Sequence, residues 1–328
     1  MSTPERILVT GGSGFVGACL VRELIAQGHE VHLLLRDRSS SWRLAGIEGE
    51  YQPHEADLRD ISALRRAVDA SRPEVIYHLA AYGVRRSQTR QSEILETNLQ
   101  GTANLLEALG RHDYRALVHT GSSSEYGHKN HAMRENDRLE PRTAYAVSKA
   151  AATLLCQAEA YRGRMVSTVR IFSAYGPWED PHRLVAYVVD CCRRGEAPRV
   201  TNGAPPRDFI FVDDVLRLLQ TAAHCPQAAG RILHAGSGRQ CNVREMIRTI
   251  VEVCGRDPAD IRFGEMPAQA DEPTHWVANI EQTTKLTGWR PIIGLRRGIE
   301  QTLAWAQSHA LSERHAEGRT NRSAAAAA

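Results

Sequence analysis

A short apolar run, Ile7-Leu8-Val9, leads directly into Thr10-Gly-Gly-Ser-Gly-Phe-Val-Gly17. No other feature restricts the fold of this chain as much. A segment with apolar residues at helical spacing follows (Phe15, Val16, Cys19, Leu20, Leu24, Ile25), and Gly28 closes it. Strand, glycine turn and helix in that order form the unit that binds a dinucleotide. Small residues let the backbone approach a pyrophosphate, and the free N–H groups of the first helical turn meet its negative charge. Gly11, Gly14, Phe15, Val16 and Gly17 are the expected cradle. Tight turns also use glycine for steric reasons alone, but the flanking strand and helix favour the cofactor reading.

A chain of 328 residues exceeds the usual size of one hydrophobic core, so a large α/β unit with a smaller lobe is expected. Its 41 basic and 38 acidic residues leave a formal charge of +3, with the basic residues scattered. That is not a nucleic-acid footprint; an anionic small molecule needs only a local arginine or two. The seven cysteines include no CxxC pair and no paired framework, so neither disulfides nor a metal site is expected and a reducing cytoplasm is the natural setting. No apolar run approaches a membrane span, and no signal peptide precedes the first strand. Neither a membrane nor a nucleic acid is therefore an expected partner.

The pattern predicts strands over 7–10, 31–35, 51–56, 75–80, 116–120 and 166–172. Helices are predicted over 15–26, 61–70, 94–109 and 144–161. This alternation implies a doubly wound, Rossmann-type parallel sheet covered on both faces. Past Phe172, frequent prolines punctuate shorter elements. Residues 1–172 read as a dinucleotide-binding domain and 173–311 mainly as a substrate lobe. Segments 209–212 and 232–235 are candidates to rejoin the main sheet. Residues 312–328 read as a disordered tail.

Ligands bind at the carboxyl ends of such strands, so the residues there are the candidates. An NAD site usually has an acidic residue at the end of the second strand; here Leu35 occupies that place and Arg36 follows. Arginine and the clustered hydroxyls of 39–41 suit a 2′-phosphate, which favours NADP, while Asp37 leaves NAD possible. Asp57-Leu58 could face the adenine, or Asp57 could cap the next helix. In His78-Leu79-Ala80-Ala81-Tyr82, the small residues allow a ribose to lie close, and His78 alone reads as a core histidine. Ser122, Ser123 and Ser124 end the fifth strand, as turn chemistry or as a hydroxyl for a substrate oxygen.

Tyr145 and Lys149 stand four apart and share a helix face. Free tyrosine titrates near ~10, too high for a base at neutrality. A nearby ammonium favours the phenolate and brings the group closer to working pH. A surface Tyr/Lys stripe is the plain alternative. The serine-rich strand end about twenty residues earlier and the glycine turn add weight to the chemical reading.

These motifs, with Asn98 in Asn-Leu-Gln-Gly-Thr102 and Arg207-Asp-Phe-Ile-Phe-Val-Asp-Asp-Val215, occur in an order that resembles the extended short-chain dehydrogenase/reductase family. The likeness is to its nucleotide-sugar epimerases and dehydratases and spans roughly Arg6 to Ala306. The resemblance implies that Tyr145 takes a proton from a sugar hydroxyl, at C4, while nicotinamide takes the hydride. Lys149 would hold the nicotinamide ribose, and one serine would bind the substrate oxygen. Counting back from Glu125 gives Ser123, from Tyr126 Ser122; Ser123 is preferred. Asn98 would support the active-site helix or a water beside the cofactor. Arg207 would pair with the nucleotide pyrophosphate, with Tyr82, Ser122 and Ser124 lining the substrate. Glu125 could take the C5 proton of a 4-keto sugar, as dehydration requires, or could cap a turn.

Two departures weaken a UDP-glucose/galactose epimerase specifically. Ser173 in Arg170-Ile-Phe-Ser173 stands where relatives have asparagine. Gln269-Ala270-Asp271 stands where they have an arginine before the aspartate. Arg183 could replace that cation. The leading expectation is a nucleotide-sugar epimerase or dehydratase with bound NAD(P). A 4-keto-6-deoxy-sugar reductase using NADPH is the enzymatic alternative. A dinucleotide-sensing binding protein is the other, disfavoured because Tyr145 and Lys149 are both intact. The helices over 94–109 and 144–161 carry many apolar and alanine positions, which could pack on the chain's own sheet; the resemblance implies that they form a homodimer interface.

Overall fold

The computed structural model describes residues 3–37, 42–84, 87–267 and 271–309. The tail expected over 312–328, the hydroxyls of 39–41, and Gln269 and Ala270 lie outside the described residues. Seven strands form one sheet: β1 (Arg6–Thr10), β2 (Glu30–Leu35), β3 (Gln52–Glu55), β4 (Val75–His78), β5 (Ala116–Ser122), β6 (Val166–Ile171) and β11 (Ile232–Ala235). Its order is β11-β6-β5-β4-β1-β2-β3, and every pairing is parallel. The chain winds outward from β1 to β3, then crosses back to β4. The reversal leaves a crevice at the carboxyl ends of β1 and β4, where such folds bind ligands.

Why these segments are strands follows from their side chains. Both sheet faces are covered, so the strands are apolar runs rather than alternating ones. The pleat then divides each run between two cores. Ile7, Val9, Leu33, Tyr77 and Val118 face one core, with helices α1 (Phe15–Ala26), α6 (Leu184–Arg194), α7 (Val212–His224), α8 (Val243–Val253) and α10 (Leu295–Ser308). Leu8, Leu34, Ile76 and Leu117 face the other, with α2 (Ile61–Ser71), α4 (Gly101–Leu109) and α5 (Ala144–Tyr161). Each buried Leu or Ile contributes ~1.5–3 kcal/mol of transfer free energy.

The helix expected over 94–109 is broken into α3 (Gln91–Leu95), a π-helical turn (Glu96–Gln100) and α4. The helix starts are chemically marked. Asp60 caps α2 by accepting from the N–H groups of Ser62 and Ala63, and Thr143 caps α5 through Ala146 N–H. Beyond β6 lie β7 (Ser173–Tyr175), β8 (Arg199–Val200), β9 (Pro206–Arg207), β10 (Phe209–Phe211), β12 (Cys241–Asn242), β13 (Arg262–Phe263) and α9 (Glu281–Thr287). Of the two segments considered for return to the main sheet, 232–235 does so as β11. Segment 209–211 pairs with β7 instead. Asp208 ties this region together by accepting from Ser237, Gly238 and Ala278 N–H groups.

Candidate active site

The glycine turn is built from steric exclusion. Gly11 has φ +72°, and a Cβ there would stand 2.5 Å from the Ala80 nitrogen. A Cβ on Gly17 would stand 2.2 Å from the Gly11 carbonyl oxygen. Only glycine lets β1, the turn and the start of α1 come this close. α1 starts at Gly14 with no side-chain cap and no acidic residue in its first turn. The N–H groups of Phe15, Val16 and Gly17 are thereby left for an anion. Leu79 and Ala80 border the turn through Thr10, whose carbonyl and hydroxyl accept their N–H groups. Ala81 follows, exposed. This cradle fits the pyrophosphate of a dinucleotide.

Behind it, His78 bonds Thr10 Oγ1 at 2.7 Å through Nδ1 and Thr102 Oγ1 at 2.9 Å through Nε2. Thr102 donates to the Asn98 carbonyl, so His78 is the donor at Nε2 and the acceptor at Nδ1. Burial holds this imidazole down to about 3, so it is neutral. Arg36 is exposed at the end of β2, and its charge reaches Asp57 and Tyr82. Asp57 is not a helix cap; it accepts from Arg59 through both backbone and side chain, which holds its carboxyl below the usual range. Leu58 is buried, its carbonyl accepting from Asn104.

Asn98 was expected to support the active-site helix or a water beside the cofactor, and its bonds are of the first kind. The π-helical turn directs it into a backbone clamp: Oδ1 accepts Tyr82 N–H at 2.7 Å, and Nδ2 donates to Tyr82 O and Ser148 Oγ. Ser148 donates in turn to the Tyr145 carbonyl. Asn98 therefore supports the head of α5. Tyr82 is half-buried and directs its hydroxyl to Glu93.

Tyr145 lies half-buried on the first turn of α5, and Lys149 is buried one turn later. The Ser122 side chain at the end of β5 is the hydroxyl that acts on the Tyr145 phenol, lowering its pKa. Ser123, the serine preferred from the sequence, is buried inside a short 3₁₀ turn (Ser123–Tyr126). β5 runs two residues further than expected, so Ser122 still follows the strand pleat and points with Thr120 and Val118. Ser124 stands beside it, the two hydroxyls 2.7 Å apart.

Glu125 was open between an acid–base group and a turn cap, and it caps the turn. It has no exposed surface and is fully engaged. Oε1 accepts Ser122 N–H at 2.7 Å and Thr153 Oγ1 at 3.2 Å; Oε2 accepts from Arg170 Nε at 2.8 Å and Nη2 at 2.7 Å. No lone pair is left for a substrate proton. Arg170 and Thr153 are the residues that sequence reasoning did not connect to the site. Arg170 was visible as the arginine of Arg170-Ile-Phe-Ser173, but nothing local assigns its partner.

Burial pushes the Tyr145 phenol up to about 12; the Ser122 bond and the Arg183 charge pull it down, and Glu125 pushes it up. Burial brings Lys149 itself down to about 8, opposed by Glu125. Arg183 precedes α6, 3.7 Å from Glu179, a buried carboxyl that desolvation pushes up to about 8. Ser173 opens β7, half-buried, with its N–H bonded to Asp208 O. Arg207 pairs with Glu272 at 2.8 Å and lies over Trp276. Asp271 is exposed and bonds Arg142 at 2.8 Å, just ahead of α5.

A family model described as the NAD dependent epimerase/dehydratase family matches residues 7–236. A probable UDP-glucuronate 4-epimerase of Rhizobium meliloti is 28% identical, covering 92% of this chain and 96% of its own. A UDP-glucose 4-epimerase of Mycolicibacterium smegmatis is 30% identical, covering 91% of this chain and 97% of its own. Among solved structures, the dTDP-glucose 4,6-dehydratase DesIV of Streptomyces venezuelae with NAD bound is 27% identical. It superposes with a TM-score of 0.82 over 92% of this chain and 97% of that one.

Proposed function

The chain belongs to the NAD dependent epimerase/dehydratase family, and on that premise we propose that it inverts a nucleotide-linked sugar by oxidation and reduction at C4. The observation that carries this reading is the placement of Tyr145 and buried Lys149 on α5, with Ser122 at the carboxyl end of β5, at the same edge of the parallel sheet as the glycine cradle. A nicotinamide dinucleotide held by Gly11, Gly14, Phe15, Val16 and Gly17 would supply the hydride acceptor and donor and, when oxidised, a positive ring charge. Ser122 orients the C4 oxygen by hydrogen bonding. Tyr145 exchanges the C4 hydroxyl proton, taking it as the carbonyl forms and returning it as the alcohol reforms on the other face. Lys149, a buried cation on the same helix face, supports the phenolate state once cofactor is present.

Dehydration needs a further acid–base carboxyl at the sugar, and Glu125 is committed elsewhere. This supports epimerisation over 4,6-dehydration. Arg207, released from Glu272, is the candidate for the nucleotide pyrophosphate. The segments after β6, apart from β11 and α7, which pack with the main sheet, form the proposed nucleotide-sugar lobe, with Ser173, Arg183 and Asp271 at its border with α5. Arg36 favours a second reading, NADP binding and 4-keto-sugar reduction. It is an exposed guanidinium at the adenosine end, and Tyr145, protonated at neutral pH, would then act as proton donor. Incubation with a panel of nucleotide hexoses and their 4-keto-6-deoxy forms, followed by NMR, separates the readings. An inverted product with no net change in nicotinamide absorbance supports epimerisation. Stoichiometric NADPH loss overturns it in favour of reduction.

A homodimer is proposed on α5, where Val147, Leu154 and Tyr161 recur at seven-residue spacing, exposed, beside exposed Leu95 on α3. Leu154→Glu should convert a dimer to a monomer in light scattering; a wild-type monomer at micromolar concentration would refute the dimer. Among the described residues no helix is long and apolar enough to cross a membrane. All seven cysteines are free thiols, which supports a reducing cytoplasmic setting.

A further inference from the structure

We infer that the buried Glu125–Arg170 pair is a positioning device that holds Ser122 at a set distance from Tyr145 and balances the charge beneath the head of α5. The inference rests on the proposed roles of Ser122 and Tyr145. The pair joins three elements at one carboxylate: the end of β5 through Ser122 N–H, α5 through Thr153, and β6 through Arg170. Thr153 lies on the same helix as Tyr145, so a single side chain joins the strand end that carries Ser122 to the helix that carries Tyr145. Glu125 pins the Ser122 backbone while Ser122 Oγ accepts Ser124 N–H, a reciprocal cap that leaves the serine one orientation.

A pair this deep, with side chains 0% and 1% exposed, is poor value as a stabiliser. Desolvating two charges costs several kcal/mol per ion, and apolar residues of the same volume often serve stability as well. What apolar residues cannot do is accept Ser122 N–H or place a fixed charge here. The pair is braced from behind. The Arg170 guanidinium lies 4.4 Å from the Tyr126 ring centroid. Tyr126 donates to His234 Nε2 at 2.6 Å, and His234 Nδ1 donates to Asn279 O at 2.9 Å. The fixed charge acts on both groups of α5: Glu125 pushes Tyr145 and Lys149 up. The other groups facing them are Ser122 and Arg183 at Tyr145, and Cys156, His78 and His119 at Lys149. Both histidines are held neutral by burial, so Glu125 is the charged side chain that acts on both groups, joined at Tyr145 by Arg183.

The chain has only three lysines, Lys129, Lys149 and Lys285, so a 13C-lysine NMR titration resolves Lys149 without any substrate. Glu125→Gln keeps an oxygen for Ser122 N–H and removes the charge. It should move the Lys149 titration down from about 8, by roughly one pH unit. The rising limb of the kcat/KM pH profile should move in the same direction. Glu125→Ala, which also releases Ser122, should lower kcat roughly 10- to 100-fold with KM little changed, and Glu125→Gln/Arg170→Met, which keeps an oxygen for Ser122 N–H and leaves no unpaired buried charge, should recover most of that loss. Should Glu125→Ala not fold, the Glu125→Gln/Arg170→Met pair of near-isosteres tests the same point. An unmoved Lys149 titration in Glu125→Gln overturns the inference. A wild-type protein inert on every nucleotide sugar overturns the proposed function instead, and the lysine titration still decides the inference.

Discussion

The glycine cradle and the serine turn lie at the ends of β1 and β5, with β4 between them, and are built on opposite principles. The cradle is backbone held close by the absence of side chains, and eight consecutive residues contain nearly all of it. The serine turn is held by a guanidinium from β6 and a hydroxyl from α5, far away in sequence. The cradle is therefore sensitive to added atoms and indifferent to charge. The turn tolerates shape-preserving changes and fails when its charges are unbalanced.

The largest effect should come from the chemistry that the turn serves. Tyr145→Phe should lower turnover roughly 10²- to 10⁴-fold while cofactor binding by fluorescence titration stays within a few-fold; full turnover would refute the proposed role. Next in size, Arg170→Met should destabilise the protein by about 3–5 kcal/mol in denaturant unfolding, because Glu125 is left as an unpaired buried charge. Adding Glu125→Gln should recover most of that loss, and no recovery would break the contrast between charge and shape. Smaller still, Gly11→Ala should cost about 1–3 kcal/mol through its left-handed backbone and the clash with Ala80. It should also weaken dinucleotide binding, with no dependence on pH.

The smallest effect, per group, is acid sensitivity. Burial holds His78, behind the cradle, and His234, behind the turn, down to about 3 from an ordinary 6.5. As pH falls below about 6.5 the unfolded chain takes up protons that the folded chain refuses, so stability drops, by up to ~1.4 kcal/mol per pH unit for each histidine until about pH 3. Thermal unfolding between pH 7 and 5 should show the decline. His78→Asn should flatten it, and an unchanged slope would mean that His78 is not buried neutral.

How much was legible follows the same divide. The bounds of α1 and α5 were readable because apolar spacing and caps are local properties. Strand ends were less so: β5 continues to Ser122 because pairing with β6 carries it there, and no residue within the serine run announces that. Counting within Ser122-Ser123-Ser124 could not choose the serine, since orientation depends on where the pleat stops and the 3₁₀ turn begins. Glu125 stayed open between acid–base group and turn cap because its partner lies 45 residues away. Asn98 stayed open between helix support and a water because a π-helical turn inside a regular helical pattern leaves no periodic trace.

The amino-acid sequence alone determined the βα architecture, the dinucleotide cradle and the Tyr145/Lys149 helix face, because steric limits on glycine and the helical period act between near neighbours. Tertiary structure decided which serine meets Tyr145 and what Glu125 does. It also decided that burial, more than the neighbouring amine, governs the phenol in the free protein. Those outcomes depend on desolvation and on charges from separate elements, and both are properties of the packed chain.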